Sequence, residues 1–109
     1  MAAAGVAWRV AYTVAPRPRP PAYHGQVWRG RWFENAQFVG ATFLRCDFRG
    51  ANLVNANLRR ARLWGCDFRG SNLYGVILTG AVYDRFTVWP EGFDAAACGA
   101  RLERGDERK

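Results

Sequence analysis

The chain has 109 residues, 50% of them hydrophobic and 23% charged, a balance that excludes a disordered polymer and allows one packed domain. Sixteen basic residues, fifteen of them arginine, oppose nine acids for a net charge of +7; this permits attraction to nucleic acid, acidic proteins or anionic surfaces but does not specify a fold. Three cysteines (Cys46, Cys66, Cys98) without CxxC spacing and a single histidine, His24, exclude the usual metal-ligand sets and point to a reduced, cytoplasmic setting.

In chain order, the opening "MAAAGVAWRVAYTVA" is apolar, yet no basic residue precedes it and Arg9 interrupts it, so it reads as neither a secretion signal nor a membrane span. No membrane insertion is expected. The stretch "APRPRPPAY" is proline-rich and predicts an extended connector, so that residues 1–22 form an N-terminal extension in which the first fifteen are a short strand or mobile.

From residue 36 a strict period appears. Written in fives, residues 36–80 read AQFVG, ATFLR, CDFRG, ANLVN, ANLRR, ARLWG, CDFRG, SNLYG and VILTG. The middle position is always large and apolar: Phe38, Phe43, Phe48, Leu53, Leu58, Leu63, Phe68, Leu73 and Leu78. Two places earlier stands a small residue, from Ala36 to Ser71, and the last place favours glycine.

A large side chain every fifth residue fits neither the 3.6 period of a helix nor the alternation of an ordinary strand. It predicts a chain that turns a corner in every five residues and returns to its starting azimuth after twenty, so that coils stack at about 4.8 Å. The centres and the small residues then point inward, and glycine suits the corner because it reaches positive φ without a Cβ penalty.

"ANLVN", "ANLRR" and "SNLYG" resemble the A(D/N)LxX motif of the pentapeptide repeat family. The resemblance covers roughly residues 31–83 and implies an all-β fold: a short right-handed quadrilateral parallel β-helix of about two and a half to three coils. Upstream the phase continues weakly through Phe33, Trp28 and Tyr23, which predicts an imperfect first coil or cap, and the solenoid is assigned to residues 23–83.

After Tyr83 the five-residue rule ends, and residues 84–109 are expected to form a cap and charged tail. "WPEGFD" resembles the "FPEGFD" tail that often follows the repeats in this family. Asp94 is a plausible helix N-cap, and a short helix is expected over Ala95 to Arg104. Ile77 and Val82 are apolar at outward positions, with Trp89 and Phe93 as the candidates to cover them.

In this register the two CDFRG segments stack on one another. Cys46 and Cys66 are then small interior fillers, and Asp47, Arg49, Asp67 and Arg69 form an outer ladder of opposite charges. Asn52 and Asn72 stack outward, where amides can hydrogen-bond along the axis.

The unbalanced cluster Arg59, Arg60 and Arg62, with Trp64 over Leu44, is the candidate binding surface, since arginines beside an aromatic ring hold phosphates, bases or partner side chains. No catalytic set, phosphate loop or cofactor fingerprint is present, so the expectation is a non-enzyme without cofactor or metal.

The resemblance implies an interaction or scaffold module with a protein partner. The basic surface offers a second expectation, a nucleic-acid- or anion-binding module, and an open coil end would allow a homodimer. Family members that protect DNA gyrase look like duplex DNA through an acidic rod; this chain is basic and short, which argues against that role.

Overall fold

The computed structural model describes residues 19–103, so the expectations for residues 1–18 and 104–109 lie outside the described residues. Five short strands, β1 (Ala22–His24), β2 (Thr42–Leu44), β3 (Arg62–Trp64), β4 (Val82–Tyr83) and β5 (Arg101–Leu102), form one parallel sheet in sequence order. Each is one rung of the same face. The register is twenty residues per coil: Tyr23 lies on Phe43, Phe43 on Leu63 and Leu63 on Tyr83.

The other faces carry isolated bridges at the same interval, such as Asp47 with Asp67 and Asn52 with Asn72. The axial hydrogen bonds alternate in direction: Phe48 N–H donates to the Asp67 carbonyl at 2.8 Å, and Asp67 N–H donates back to the Cys46 carbonyl at 3.0 Å. Corners such as Phe48 to Ala51 close with an N–H donated to the carbonyl three residues earlier, 3.0 Å away. The chain therefore satisfies its backbone with very short strands, because each corner supplies the bond that the strand does not.

The interior follows the pattern of fives. Phe43, Phe48, Leu53, Leu58, Leu63, Phe68, Leu73 and Leu78 are buried, and so are the small residues from Ala41 through Val76. Each large centre contributes about 1.5 to 3 kcal/mol of transfer free energy before entropy is subtracted. Phe38 is the exception, only half-buried, because it belongs to the first rung with Tyr23, Trp28 and Phe33. Those four rings meet edge to face around the end of the tube, with centroids 5.1 to 5.7 Å apart along the chain. The weak phase upstream of residue 36 is thus a complete coil with an aromatic interior.

The ladder also runs on past Tyr83. Asp67 pairs with Val88, an interval of twenty-one, so one residue has been inserted at the corner Asp84, Arg85, Phe86. Thr87 then fills the small position and Trp89 the centre, its ring parallel to Phe68 at 4.8 Å. The tube is accordingly longer than the two and a half to three coils expected: the strand face has five rungs.

Two expectations at this end are corrected. The helix over Ala95 to Arg104 is a single 3-10 turn, Ala96–Cys98, followed by β5. Gly99 stops it at φ 97°, where an added Cβ would stand 3.0 Å from the Thr79 Cα. Asp94 does act at the start of this turn, accepting the Ala97 N–H at 3.2 Å. Trp89 and Phe93 pack on the interior stack rather than over outward Ile77 and Val82; Val82 is matched instead by Arg101 in β5.

The Asn52 and Asn72 amides do not link along the axis either. Each accepts the N–H two residues on within its own corner, from Val54 at 3.0 Å and Tyr74 at 3.1 Å. The axial amide bond is found on the next face, where Asn57 Nδ2 donates to Gln37 Oε1 at 3.0 Å.

Candidate binding face

On the strand face the residues flanking each buried centre point outward. One column reads Ala22, Thr42, Arg62, Val82 and Arg101; the other reads His24, Leu44 and Trp64, with Asp84 and Glu103 following the paired residues of β4 and β5. Leu44 lies directly opposite Trp64, as the period predicted. Arg60 sits at the corner before β3, held at φ 58°, a left-handed conformation that non-glycine residues seldom adopt.

Two depressions adjoin at Trp64. The first, about 540 Å³, is lined by Leu44, Arg45, Trp64, Gly65, Asp84 and Phe86. Its shape comes from the inserted residue: Asp84 Oδ1 accepts N–H bonds from Gly65 at 2.9 Å and Phe86 at 3.2 Å, with the Thr87 hydroxyl oxygen 3.1 Å away. This knot turns Phe86 outward, 65% exposed, with the Arg85 guanidinium 5.1 Å from its ring centroid. Leu44, Trp64 and Phe86 thereby form an apolar row across the coils.

The second depression, about 450 Å³, is lined by Arg60, Arg62, Trp64, Gly80, Val82, Arg101 and Glu103. It exists because the rung of Gly80 and Val82 carries short side chains between two rungs that carry long ones. The structure thus brings together Arg60, Arg62, Trp64 and Leu44 around these two hollows. Arg59 is exposed but lines neither; its N–H closes the preceding corner on Asn57 Oδ1 at 3.2 Å. Arg101 was not foreseen, because it arrives through the irregular C-terminal return rather than through the repeat.

The neighbouring face is electrostatically satisfied. Asp47 bonds Arg29 at 2.6 Å and Arg49 at 3.0 Å, and Asp67 bonds Arg69 at 2.6 Å, with Arg49 bridging to Asp67 at 3.8 Å. Arg49 and then Arg29 hold the Asp47 carboxyl well below the usual carboxylate range, and Arg69 lowers that of Asp67. The ion pairs among the described residues engage Arg29, Arg49, Arg69 and Arg101; Arg60 and Arg62 take part in none of them.

The cysteines are free, with Cys46 and Cys66 buried as expected. Their position has a further reason. Cys46 Sγ faces the Tyr23 carbonyl at 3.6 Å, Cys66 Sγ donates to the Phe43 carbonyl at 3.4 Å, and Thr87 Oγ1 donates to the Leu63 carbonyl at 2.7 Å. The small residue after the strand corner is therefore a side-chain donor in three successive coils, bonded to the centre of the rung before. The adjacent Cys46 thiol and burial push the Cys66 thiol up.

Among the described residues no cluster of His, Cys, Asp or Glu is arranged to hold a metal ion, and no helix is long and apolar enough to cross a membrane. His24 is exposed at the far end of the Leu44 column. What the face offers is shape, apolar area and guanidinium groups.

The family model "Pentapeptide repeats" matches residues 33–65 and 51–82 in eight copies. Among solved structures, the pentapeptide repeat protein Rfr23 from the cyanobacterium Cyanothece 51142 is 32% identical, with 58% of this chain and 46% of that chain covered and a TM-score of 0.49. This chain thus spans a little under half of Rfr23. The pentapeptide repeat protein alr5209 from Nostoc Pcc 7120 is 26% identical over 90% of this chain and 94% of that chain, with a TM-score of 0.48. A pentapeptide repeat protein of the Arabidopsis thaliana thylakoid lumen is 22% identical over 73% of this chain and 69% of that one, at a TM-score of 0.34. No curated protein matches. With a period of five, inward centres and a parallel ladder, residues 33–82 of this chain are pentapeptide repeats.

Proposed function

We propose that the chain is a non-enzymatic interaction module that presents the outer face of β2 to β4 to a segment of a protein partner. The observation that carries this reading is the apolar row Leu44, Trp64 and Phe86 along a hollow of about 540 Å³. Phe86 is 65% exposed at the tip of a corner that departs from the repeat, so its exposure is not a consequence of the solenoid's period. Large aromatic side chains on a rigid support supply contact area at little entropic cost, which is what a binding surface needs.

The solenoid supports such a role because its faces are held by axial hydrogen bonds at every rung and need no ordering on contact. Among the described residues its hollows are open grooves lined by arginines, apolar side chains and the acids Asp84 and Glu103. Free thiols at Cys46, Cys66 and Cys98 are consistent with a reducing, cytoplasmic compartment.

A peptide-display selection on the immobilised chain tests this reading. Selected peptides should lose about tenfold or more in affinity for Trp64→Ala and Phe86→Ser, the size of an aromatic anchor's contribution. Peptides that bind both variants as tightly as the parent would place the binding face elsewhere and remove the proposal.

A further inference from the structure

We infer that the gap bounded by Arg60, Arg62 and Arg101 seats carboxylate side chains of the bound segment, so that the partner contributes an acidic peptide whose apolar residue packs on Trp64. This rests on the reading of the strand face as a protein-binding surface. The gap is one rung deep: Val82 and Gly80 form its floor, and the arginines stand on the rungs before and after it. With rungs about 4.8 Å apart, its walls are separated by about 10 Å, room for one extended chain or one long side chain.

Its charge is unbalanced in one direction. Among the described residues, three guanidinium groups line it with one carboxylate, that of Glu103, an excess of two positive charges. The pair between Arg101 and Glu103 is long, 3.8 Å, with the arginine 72% exposed, and exposed pairs of this kind hold their partners weakly. Guanidinium groups present flat, forked donors that match a carboxylate with two parallel bonds. Arg60 adds a preset direction, because its corner position is locked at φ 58°.

The same surface disfavours a nucleic-acid strand. A phosphate chain running along the axis would need a track of uncompensated cations. Here the arginines that do repeat along the axis, Arg29, Arg49 and Arg69, are bonded to Asp47 and Asp67. On the strand face, the column beyond Trp64 continues into Asp84 and Glu103, two carboxylates in the path of such a chain. A short acidic peptide needs only the local arginine cluster and the apolar row, and it meets one carboxylate in each hollow, Asp84 in the first and Glu103 in the second, rather than a continuous axial track.

The test is fluorescence anisotropy at low salt with three labelled probes: a short peptide with a central Trp-Leu pair flanked by glutamates, the same peptide with glutamine for glutamate, and an oligothymidylate of similar length. The glutamate peptide should bind, weaken with added salt, and bind about tenfold less tightly to Arg62→Gln/Arg101→Gln, the loss expected for two charge-assisted contacts. Arg29→Gln, on the neighbouring face, should leave its binding unchanged. These side chains are all exposed, and matching thermal unfolding of the variants shows that the fold is retained.

Equal binding of the glutamine peptide, lost in Trp64→Ala, overturns the carboxylate seat while the apolar face stands. No binding of either peptide overturns the face as well. Tighter binding of the oligothymidylate, lost in the double arginine variant, replaces the acidic peptide with a nucleic acid.

Discussion

The rings of Phe68 and Trp89 lie face to face, 4.8 Å between centroids and 5° from parallel, and they continue the stack of Phe48 on Phe68 at 4.9 Å and 5°. A tryptophan in a segment that no longer obeys the rule of five is therefore an interior centre. It closes the tube: Tyr83 meets it edge to face at 5.3 Å, and Phe93 leans on it at 5.3 Å. Its indole Nε1 is buried without a hydrogen-bond partner, so the stacking has to outweigh a lost bond to water.

Trp89→Ala should accordingly expose Phe68 and destabilise the chain by about 2 to 4 kcal/mol, within the range for removing a large core side chain. Trp89→Phe keeps the stack and removes the orphan donor, so it should cost about 1 kcal/mol or less. Urea unfolding followed by circular dichroism measures both. Equal midpoints for Trp89→Ala and the parent would mean that the ladder does not extend to residue 89.

Gly99 is the second place where the end of the tube is sensitive. Its φ of 97° and the 3.0 Å approach of an added Cβ to the Thr79 Cα leave no room for a side chain against the backbone. Gly99→Ala should lower stability by about 1 to 3 kcal/mol. Gly92, also at positive φ but with nothing within 4 Å of an added Cβ, should cost about 1 kcal/mol as alanine. Thermal unfolding of the two variants side by side checks the order, and a larger loss at Gly92 would contradict the close packing of the 3-10 turn on the last repeat.

These two residues also show what could be read before the structure and what could not. The centres from Phe43 to Leu78, the inward small residues and the match of Leu44 with Trp64 all follow from a constant interval of twenty. That logic breaks when one residue is inserted at Asp84 to Phe86: Thr87 and Trp89 keep their roles but lose their phase. Arg101 was hidden for the same reason, since it meets Val82 at an interval of nineteen. The helix expected from the alanine-rich run at Ala95 to Ala97 reflected real local propensity, overridden because the chain must return at Gly99 to cover the edge of β4. Periodicity reveals whatever repeats, and the binding hollows are made by the residues that do not.

Acid should loosen the charged face. Because Arg49 and Arg29 depress the carboxyl of Asp47, and Arg69 that of Asp67, both groups bind protons less readily folded than unfolded. Their contribution to stability is therefore complete above the unfolded value near pH 4 and is lost as pH falls below about 4 toward the folded values. Asp47→Asn should melt a few degrees below the parent at neutral pH, with the gap closing on acidification. Melting curves from neutral pH down to about pH 2.5 enter this window, where the gap should begin to narrow, and a gap that stays constant throughout would show that the carboxylate charge does not matter.

The three thiols should differ in reactivity by their place in the coil. Cys46 and Cys66 are buried, at 1% and 0% exposure, whereas Cys98 lies at intermediate exposure in the 3-10 turn. A thiol must become a thiolate to react, and the Cys66 thiol is pushed up by the adjacent Cys46 and by burial, so folding protects it twice. Treatment of the native protein with an excess of an aromatic disulfide reagent should modify Cys98 first. Cys46 and Cys66 should follow only at the rate at which the coil opens, and all three should react together in denaturant. Cys66→Thr places a hydroxyl where Thr87 already has one bonded to the preceding rung, and it should lose less stability than Cys66→Ala, which removes the donor to Phe43. Fast native labelling of Cys46 or Cys66 would show that the two CDFRG segments do not stack with their thiols inside.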